Sequence, residues 1–314
     1  MMRSLAIAAL AALGAAVALA QAPARGPLPA GKVPPGKVFM VVQPHHDDHT
    51  TDYGMGGLIA RLVDEGYTGY YIRASNDEKD GPHGYPLDDM INLKECITAT
   101  RILGIKDVFS FSWRNDYMDS IPLQELRAQI ILLIRKYRPD VVLGHDPWAH
   151  YDRNPDHRKV ARALGDAFWL AGYANVHPEH LVLGLKPHRV PYLFLKARVD
   201  YGRGHEANVA MELNAEQVRR KQQAYVAHRN VYANPATATR MRELLKKENL
   251  VIDAIEDKTD QEAAILFDEW HMEWISRKRG AENGLPYAEI YWRIEEFDHL
   301  PGLKDYIGEN AVPR

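Results

Sequence analysis

The chain has 314 residues and a formal net charge of −3, with acidic and basic residues mixed along its length. No basic stripe that could neutralise a phosphate backbone is present, so the composition argues against nucleic acid as a partner. The single cysteine, Cys96, excludes a disulfide framework within the chain.

Residues 1–20 have the pattern of a secretory signal peptide. A basic residue precedes a run of alanine, leucine, isoleucine and valine that ends in Ala18-Leu19-Ala20. A membrane anchor is the alternative, but small residues around the end of the run favour cleavage. We therefore expect cleavage near Ala20, no stable membrane anchor and a periplasmic or secreted product. The proline-rich residues 21–36 are predicted to form a flexible leader.

Strands and helices alternate along the next part of the chain. Apolar, β-branched runs predict strands at 38–43, 67–74, 108–112 and 141–144, and helical periodicity predicts helices at 55–65, 89–103, 123–137 and 158–171. This alternation is typical of βαβ units. The sequence therefore predicts an α/β fold, a Rossmann-like parallel sheet with helices on both faces.

The pattern changes after residue 191. A further strand is predicted at 191–196, and Asn214 opens a helix with Gln217 in the capping position. From residue 234 onward we predict two or three helices followed by aromatic-rich loops. The chain is thus divided into one α/β domain over 37–233 and a mainly helical C-terminal extension over 234–314, a substrate lid or a dimer arm.

One helix of the extension carries an aromatic stripe formed by Phe267, Trp270 and Trp274. Such stripes pack in a core or between subunits more often than they bind sugar rings. The stripe is therefore compatible with a homo-oligomer, and the sequence does not decide the oligomeric state.

A dense polar cluster follows the first predicted strand. Residues 45–49 read His-His-Asp-Asp-His, which puts three imidazoles and two carboxylates into five positions. Ligands bind at the carboxyl ends of strands in open α/β sheets, so the cluster stands where a functional site is expected. A solvated polar loop is the simpler alternative, but such a loop would not need so many ionisable side chains in five positions.

A second polar cluster, residues 144–157, follows the fourth predicted strand. If the two strands are parallel neighbours, the two loops converge. Together they would supply two histidines and one carboxylate to a divalent ion and leave a position for water. That ligand set is typical of catalytic rather than structural zinc.

These segments resemble a known family. Residues 45–48 (His-His-Asp-Asp), the glycine pair 56–57 and residues 155–157 (Pro-Asp-His) resemble the PIG-L or LmbE-like N-acetylglucosaminyl deacetylases. Those enzymes typically carry Ala-His-Pro-Asp-Asp-Glu at the first motif and His-Pro-Asp-His at the second. The likeness extends over about residues 38–228.

The resemblance implies a zinc-dependent hydrolase that removes an acyl group, usually acetyl, from an N-acylated amino sugar or glycoconjugate. His45, Asp48 and His157 match the ligands of Zn²⁺, with Fe²⁺ as another divalent candidate, and Asp47 matches the general base. Physical chemistry agrees with this division, because adjacent carboxylates crowd each other at one ion. One of them binds the metal and the other accepts the proton of the attacking water.

The chain departs from the family pattern at several positions. His46 stands where the family has proline, His49 where it has glutamate, and Asn92 where it has an arginine linked to substrate recognition. Asn154 replaces the first histidine of the second motif. An amide donates hydrogen bonds but cannot protonate a leaving amine. His228, which follows Lys221 at the family's spacing, is interpreted as a structural histidine.

The missing histidine requires another proton donor. We predict His150, because it lies on the same loop and Asp152 is close enough in sequence to orient it. His145, or Asp47 returning the proton that it accepted, are the alternatives. The candidate catalytic residues are thus Asp47, His150, Asn154 and Asp156.

Two other functions stay open at this point. Asn154 would suit a carbohydrate-binding relative that has lost turnover, although such a protein would not need Asp47 as a base. A His-x-Asp…His pattern also occurs in non-haem iron oxygenases. Their triads usually lie on all-β barrels, which the predicted βαβ alternation disfavours.

Overall fold

The computed structural model describes residues 26–51, 54–147, 152–196, 207–232, 234–295 and 302–313. The predicted signal peptide lies outside these residues, and so does His150. Among the described helices, none is long and apolar enough to cross a membrane.

The strands of the described residues form one mostly parallel sheet. They are β1 (Ala30–Gly31), β2 (Val38–Gln43), β3 (Thr68–Ser75), β4 (Asp107–Trp113), β5 (Val141–His145), β6 (Tyr192–Lys196), β7 (Val209–Glu212) and β8 (Ala288–Glu295). Their order across the sheet is β1-β7-β8-β6-β5-β2-β3-β4. All neighbours pair in parallel except β8, which is antiparallel to both β6 and β7.

The helices alternate with these strands in the first half of the chain, as predicted. They are α1 (Gly56–Asp64), α2 (Leu87–Leu103), α3 (Leu123–Tyr137), α4 (Pro155–Leu170), α5 (Glu179–Val182), α6 (Ala215–Tyr225), α7 (Pro235–Glu248), α8 (Asp253–Glu256), α9 (Asp260–Ala281) and α10 (Leu303–Asn310). The predicted cap at α6 is confirmed, because Asn214 and Gln217 form a reciprocal capping box.

The sheet is covered on both faces. From β2, Met40 and Val42 enter a core shared with α3 and α4, whereas Phe39 and Val41 enter a second core shared with α1 and α2. Full burial of such a side chain contributes roughly 1.5–3 kcal/mol. Because both sides of the strand are buried, its sequence is continuously apolar, which is typical of a central parallel strand. The α/β fold predicted from the sequence is confirmed.

The C-terminal part contributes a strand as well as helices. The aromatic residues that suggested loops near residue 290 belong to β8, which lies between β7 and β6. The leader contributes β1, which pairs with β7. Aromatic residues suit strands as well as loops, so their local pattern did not identify β8.

Glu289 of β8 joins the C-terminal part to the start of α1. Its carboxylate accepts hydrogen bonds from the backbone N–H of Gly57 at 2.9 Å and of Leu58 at 2.8 Å. It also pairs with the buried ammonium of Lys221 at 2.9 Å. An acidic group is favourable at a helix N-terminus. A Cβ at position 57 would lie 2.3 Å from Leu213 Cδ1 and 3.0 Å from Glu289 Oε1, so a larger residue would have to displace these side chains.

Candidate active site

The two polar loops leave neighbouring strands at the same edge of the sheet. β2 and β5 pair in parallel with Val42 opposite Gly144. The chain proceeds from β2 outward through β3 to β4, and then returns to place β5 on the other side of β2. Ligands bind at such a switch point in open α/β sheets. The predicted convergence of the loops is therefore confirmed.

Three side chains from these loops bring ligand atoms to one point. His45 Nδ1 lies 3.1 Å from His157 Nε2. Asp48 places Oδ2 at 3.2 Å from His45 Nδ1 and Oδ1 at 3.2 Å from His157 Nε2. Ligand bonds of about 2.1 Å in a tetrahedral zinc site set the ligand atoms about 3.4 Å apart. The spacing of these three groups therefore fits one shared cation.

A second carboxylate stands behind each histidine. Asp156 Oδ2 lies 3.6 Å from His45 Nε2, and Asp152 Oδ2 lies 2.8 Å from His157 Nδ1. His157 thus directs Nδ1 to a carboxylate and Nε2 to the common point, as is usual for histidines that bind metals. The Asp156 carboxylate lies close to His45 Nε2 but beyond hydrogen-bond distance.

The backbone holds Asp156 in place. Its carboxylate is fully buried and accepts hydrogen bonds from the backbone N–H of Asp116 at 2.7 Å and of Met118 at 3.2 Å. Because both of its oxygens accept backbone hydrogen bonds, Asp156 is held fixed beside His45.

The electrostatics of the site favour a cation. Burial alone would raise the pKa of the Asp48 carboxyl, but His157 and the ammonium of Lys196 hold that pKa well below its usual range. Burial disfavours the charged form of His45, yet Asp156 and Asp48 raise the pKa of His45 well above its usual value. A proton and a metal ion would therefore compete for the same imidazole.

Asp47 stands apart from the three converging side chains. Its Oδ2 accepts a hydrogen bond from the hydroxyl of Tyr232, which follows α6. Burial and the charge of Asp47 hold the pKa of Tyr232 well above its usual value, so the phenol stays protonated and donates. The division between Asp47 and Asp48 predicted from the sequence thus has a geometric counterpart.

Asn154 forms the N-cap of α4. Its side-chain oxygen accepts a hydrogen bond from the backbone N–H of Asp156 at 2.8 Å. Asparagine is among the strongest N-cap residues. Asp152 contacts Nδ1 of His157 and accepts a hydrogen bond from the backbone N–H of Asn154 at 3.0 Å. Its predicted contact with His150 lies outside the described residues.

His145 ends β5 beside the three converging side chains. It is 3% exposed, and its Nε2 lies 3.5 Å from Asp48 Oδ1. Burial, followed by the charge of Lys196, holds the pKa of His145 well below its usual value. The ring is therefore neutral near pH 7 and is a weak proton donor.

Sequence reasoning missed Lys196 and Tyr232. Lys196 ends β6, and its ammonium donates to the backbone oxygen of Asp48 at 3.2 Å. Its place at the carboxyl end of a predicted strand was a usable signal. Tyr232 gave no such signal, since it lies in a turn after a helix.

Asn92, which stands where the family has arginine, has a structural role. Its side-chain amide donates to the backbone oxygens of Asp77 at 3.0 Å and Asp80 at 2.6 Å. Its own oxygen accepts from Asn230 at 2.8 Å. Asn92 therefore ties the loop after β3 to the loop after α6.

A cavity of about 430 Å³ is lined by Tyr232, the residue whose hydroxyl donates to Asp47. The α/β domain and α9 both line it, with Thr51, Tyr225, Tyr232, Phe267, His271 and Met272 among the lining residues. Phe267 of the aromatic stripe faces this cavity, whereas Trp270 and Trp274 are 38% and 44% exposed. The two tryptophans are therefore not part of the core of a single chain.

Comparison with known proteins agrees with this site. Residues 40–168 match the family profile PIG-L, described as GlcNAc-PI de-N-acetylase. That stretch contains both polar loops and the three converging side chains. Residues 40–168 of this chain are thus similar to a PIG-L domain.

Individual proteins give a consistent result. The diacetylchitobiose deacetylase of Thermococcus kodakarensis is 32% identical over 158 residues, which cover 49% of this chain and 57% of that protein. The match thus spans little more than half the length of this relative.

Solved structures share the fold of this chain. The N,N'-diacetylchitobiose deacetylase of Pyrococcus horikoshii superposes with a TM-score of 0.61 at 23% identity and covers 82% of this chain and 84% of that one. GalB, a 4-carboxy-2-hydroxymuconate hydratase of Pseudomonas putida, superposes with a TM-score of 0.58 at 16% identity and covers 84% and 99%. Because the second protein is a hydratase, the fold alone does not define the reaction.

Proposed function

We propose that this protein is a metal-dependent N-deacylase that removes an acyl group, in the first place acetyl, from an N-acylated amino sugar. One observation carries the proposal: His45, Asp48 and His157 converge within 3.2 Å while Asp47 stays outside the cluster. The match of residues 40–168 to the PIG-L profile and the 32% identity to a diacetylchitobiose deacetylase support the substrate class.

In this proposal His45, Asp48 and His157 hold a divalent ion, and zinc suits two imidazoles and one carboxylate. Such an ion acts as a Lewis acid and lowers the pKa of a coordinated water to about 7. Asp152 fixes the imidazole of His157 with the correct nitrogen facing inward, and Asp156 lies beside that of His45. Iron(II) accepts the same ligand set, so the ligands alone do not select the metal.

Asp47 would accept the proton of the water that attacks the amide carbonyl. Tyr232 donates to one oxygen of this carboxylate, which leaves the other oxygen for the water. The leaving amine then needs a proton, because an amide anion is too basic to depart. We propose His150 as the donor, with return of the proton by Asp47 as the alternative.

The cavity next to Tyr232 would hold the sugar. Its volume of about 430 Å³ lies within the range of small-molecule sites. Phe267 and Tyr225 offer aromatic faces, and rings of this kind pack against the apolar face of a sugar. Helix α9 of the C-terminal extension would thus contribute to substrate binding.

The proposal is tested with the chain lacking residues 1–20, loaded in turn with zinc and iron(II). N-acetylglucosamine, diacetylchitobiose and other N-acyl amino sugars are screened for release of acetate with and without oxygen. We expect acetate release that oxygen does not affect and that a chelator abolishes. Sugar binding with no acetate release under any metal would establish a binding protein instead, and iron-dependent oxygen consumption would establish an oxygenase.

A further inference from the structure

Three histidines meet in the interior beside the site described above. His46 and His49 belong to the loop after β2, and His228 follows α6. The ring centroids of His46 and His228 are 5.1 Å apart, and those of His49 and His228 are 5.8 Å apart. All three side chains are fully buried.

Apart from His46 Nδ1, which lies 3.3 Å from Asp77, the ring nitrogens of these histidines have no hydrogen-bond partner among the described residues. This differs from the interpretation of His228 as a satisfied structural histidine. A buried polar group without a partner costs about 1–3 kcal/mol. The buried rings of His46 and His228 are therefore expensive unless another group binds their nitrogens.

Glu95 of α2 brings a carboxylate to the same place. One ring nitrogen of His46, one of His228 and one carboxylate oxygen of Glu95 all lie within 4.8 Å of one another. The backbone N–H of Asn230 donates to both oxygens of Glu95, at 3.2 Å and 3.0 Å. These bonds hold the carboxylate beside the turn that carries His228.

A further carboxylate stands behind His46. Asp77 Oδ2 lies 3.3 Å from His46 Nδ1 and accepts the backbone N–H of His46 at 3.1 Å. A carboxylate next to a ligating imidazole repeats the arrangement of Asp152 and His157 in the first cluster.

We propose that His46, Glu95 and His228 bind a second divalent transition-metal ion of the zinc type. Two imidazoles and one carboxylate suit zinc and its first-row neighbours, and do not suit magnesium or calcium. The site uses none of the ligands of the first cluster and does not depend on the proposed function.

The second ion has a structural consequence for the first site. His46 lies between His45 and Asp47 in the chain, so a metal bond to His46 fixes the loop that carries both residues. The same ion joins this loop to α2 through Glu95 and to the turn after α6 through His228. That turn leads to Tyr232, which contacts Asp47.

Metal analysis of the chain lacking residues 1–20 tests the proposal. The protein is loaded with zinc, dialysed and measured for metal per chain by mass spectrometry. We expect two equivalents in the parent protein and one in Glu95→Gln and in His228→Gln. Asp48→Ala should also keep one equivalent, and the double variant Asp48→Ala/Glu95→Gln should keep none.

His180→Gln serves as the matched control. His177, Glu179 and His180 form another group with the same ligand types, but Arg135 occupies His180 Nδ1 at 3.3 Å. This variant should keep two equivalents. Glu95 is only partly buried, so Glu95→Gln keeps the test available if His228→Gln does not fold.

The outcomes separate the two sites. One equivalent in the parent protein that Asp48→Ala removes and Glu95→Gln leaves in place would overturn the second site. One equivalent that Glu95→Gln removes and Asp48→Ala leaves in place would support the second site and count against the metal in the proposed function. Two equivalents that persist in both Glu95→Gln and His228→Gln would also overturn it.

Discussion

The carboxylate of Asp152 lies 2.8 Å from Nδ1 of His157, while Nε2 of the same ring lies 3.2 Å from Asp48. A proton on Nδ1 donates to Asp152, and the lone pair of Nε2 is then free to bind a metal. One carboxylate thus selects the tautomer of the ligand contributed by the second loop.

Asp152→Asn should weaken metal binding while leaving the fold intact. The amide can present its N–H₂ group to Nδ1 and favour the wrong tautomer, so we expect metal affinity to fall by about 10- to 100-fold. Competition with a coloured chelator measures the affinity. Asp166→Asn on α4, the helix that carries His157, is the control, because Asp166 pairs only loosely with Arg127 at 3.7 Å. An unchanged affinity in Asp152→Asn would show that Asp152 does not orient the ligand.

The two adjacent aspartates should separate metal binding from catalysis. Asp47→Asn should keep the metal of the first site and lose roughly 100-fold or more in turnover, because the water has no base. Asp48→Ala should lose that metal, since Asp48 contacts both histidines. Metal content and acetate release are measured on the same samples. Equal metal loss in both variants would contradict the assignment.

The part of the site that could be predicted from the sequence lies on two short loops. Strand periodicity located the carboxyl ends of β2 and β5, and the polar residues that follow them were visible in the sequence. The partners that complete the site come from distant positions. Tyr232 lies 185 residues from Asp47, and Lys196 lies 148 residues from Asp48. No local periodicity links positions so far apart.

Long-range contacts also limited what the sequence could predict about the sheet. The strands of the βαβ units follow one another with local helical connections, so their alternation predicted them. β8 enters the sheet between β7 and β6 from the end of the chain. Its partners are set by long-range packing, which includes the contact of Glu289 with α1. A prediction based on short windows could not identify that position.

Asp80 should make the metal-free protein less stable as pH rises. Burial, with Asp77 and Asp47 nearby, raises the pKa of Asp80 to about 6. As pH rises, the carboxyl in the unfolded state, with a pKa of about 3.9, therefore loses its proton at a lower pH than in the folded state. The free energy of unfolding contributed by Asp80 falls between about pH 4 and 6 and stays low above that window.

Asp80→Asn removes this titration. Relative to the parent, the variant should gain about 1–2 kcal/mol in the free energy of unfolding at pH 7 and lose most of that gain at pH 4. Urea unfolding of the metal-free proteins at several pH values measures the difference. A difference between the two proteins that stays constant with pH would refute this role of Asp80.

Phe267 should contribute to substrate binding rather than to the chemical step. It lines the cavity next to Tyr232, so Phe267→Ala should raise KM several-fold and change kcat little. Trp270→Ala is the matched control, because Trp270 lies on the same helix but is 38% exposed and is not among the residues lining the cavity. Equal effects of the two substitutions would locate the sugar elsewhere.

Protonation of the leaving amine is the remaining step, and His150 and Asp47 are the two candidate donors. His145 is the weaker choice, because burial and then Lys196 hold its pKa well below the usual value and keep the ring neutral. Asn154 uses its side-chain oxygen to cap α4, and an amide has no proton of suitable acidity.

If His150 protonates the amine, kcat/KM falls at high pH as this imidazole loses its proton. His150→Ala then abolishes that basic limb and lowers the rate by about 10²- to 10⁴-fold. If His150→Ala leaves both the rate and the pH profile unchanged, Asp47 returns the proton that it accepted. A substrate with an acidic leaving amine distinguishes the two further, because it needs little protonation and should recover most of the rate lost in His150→Ala.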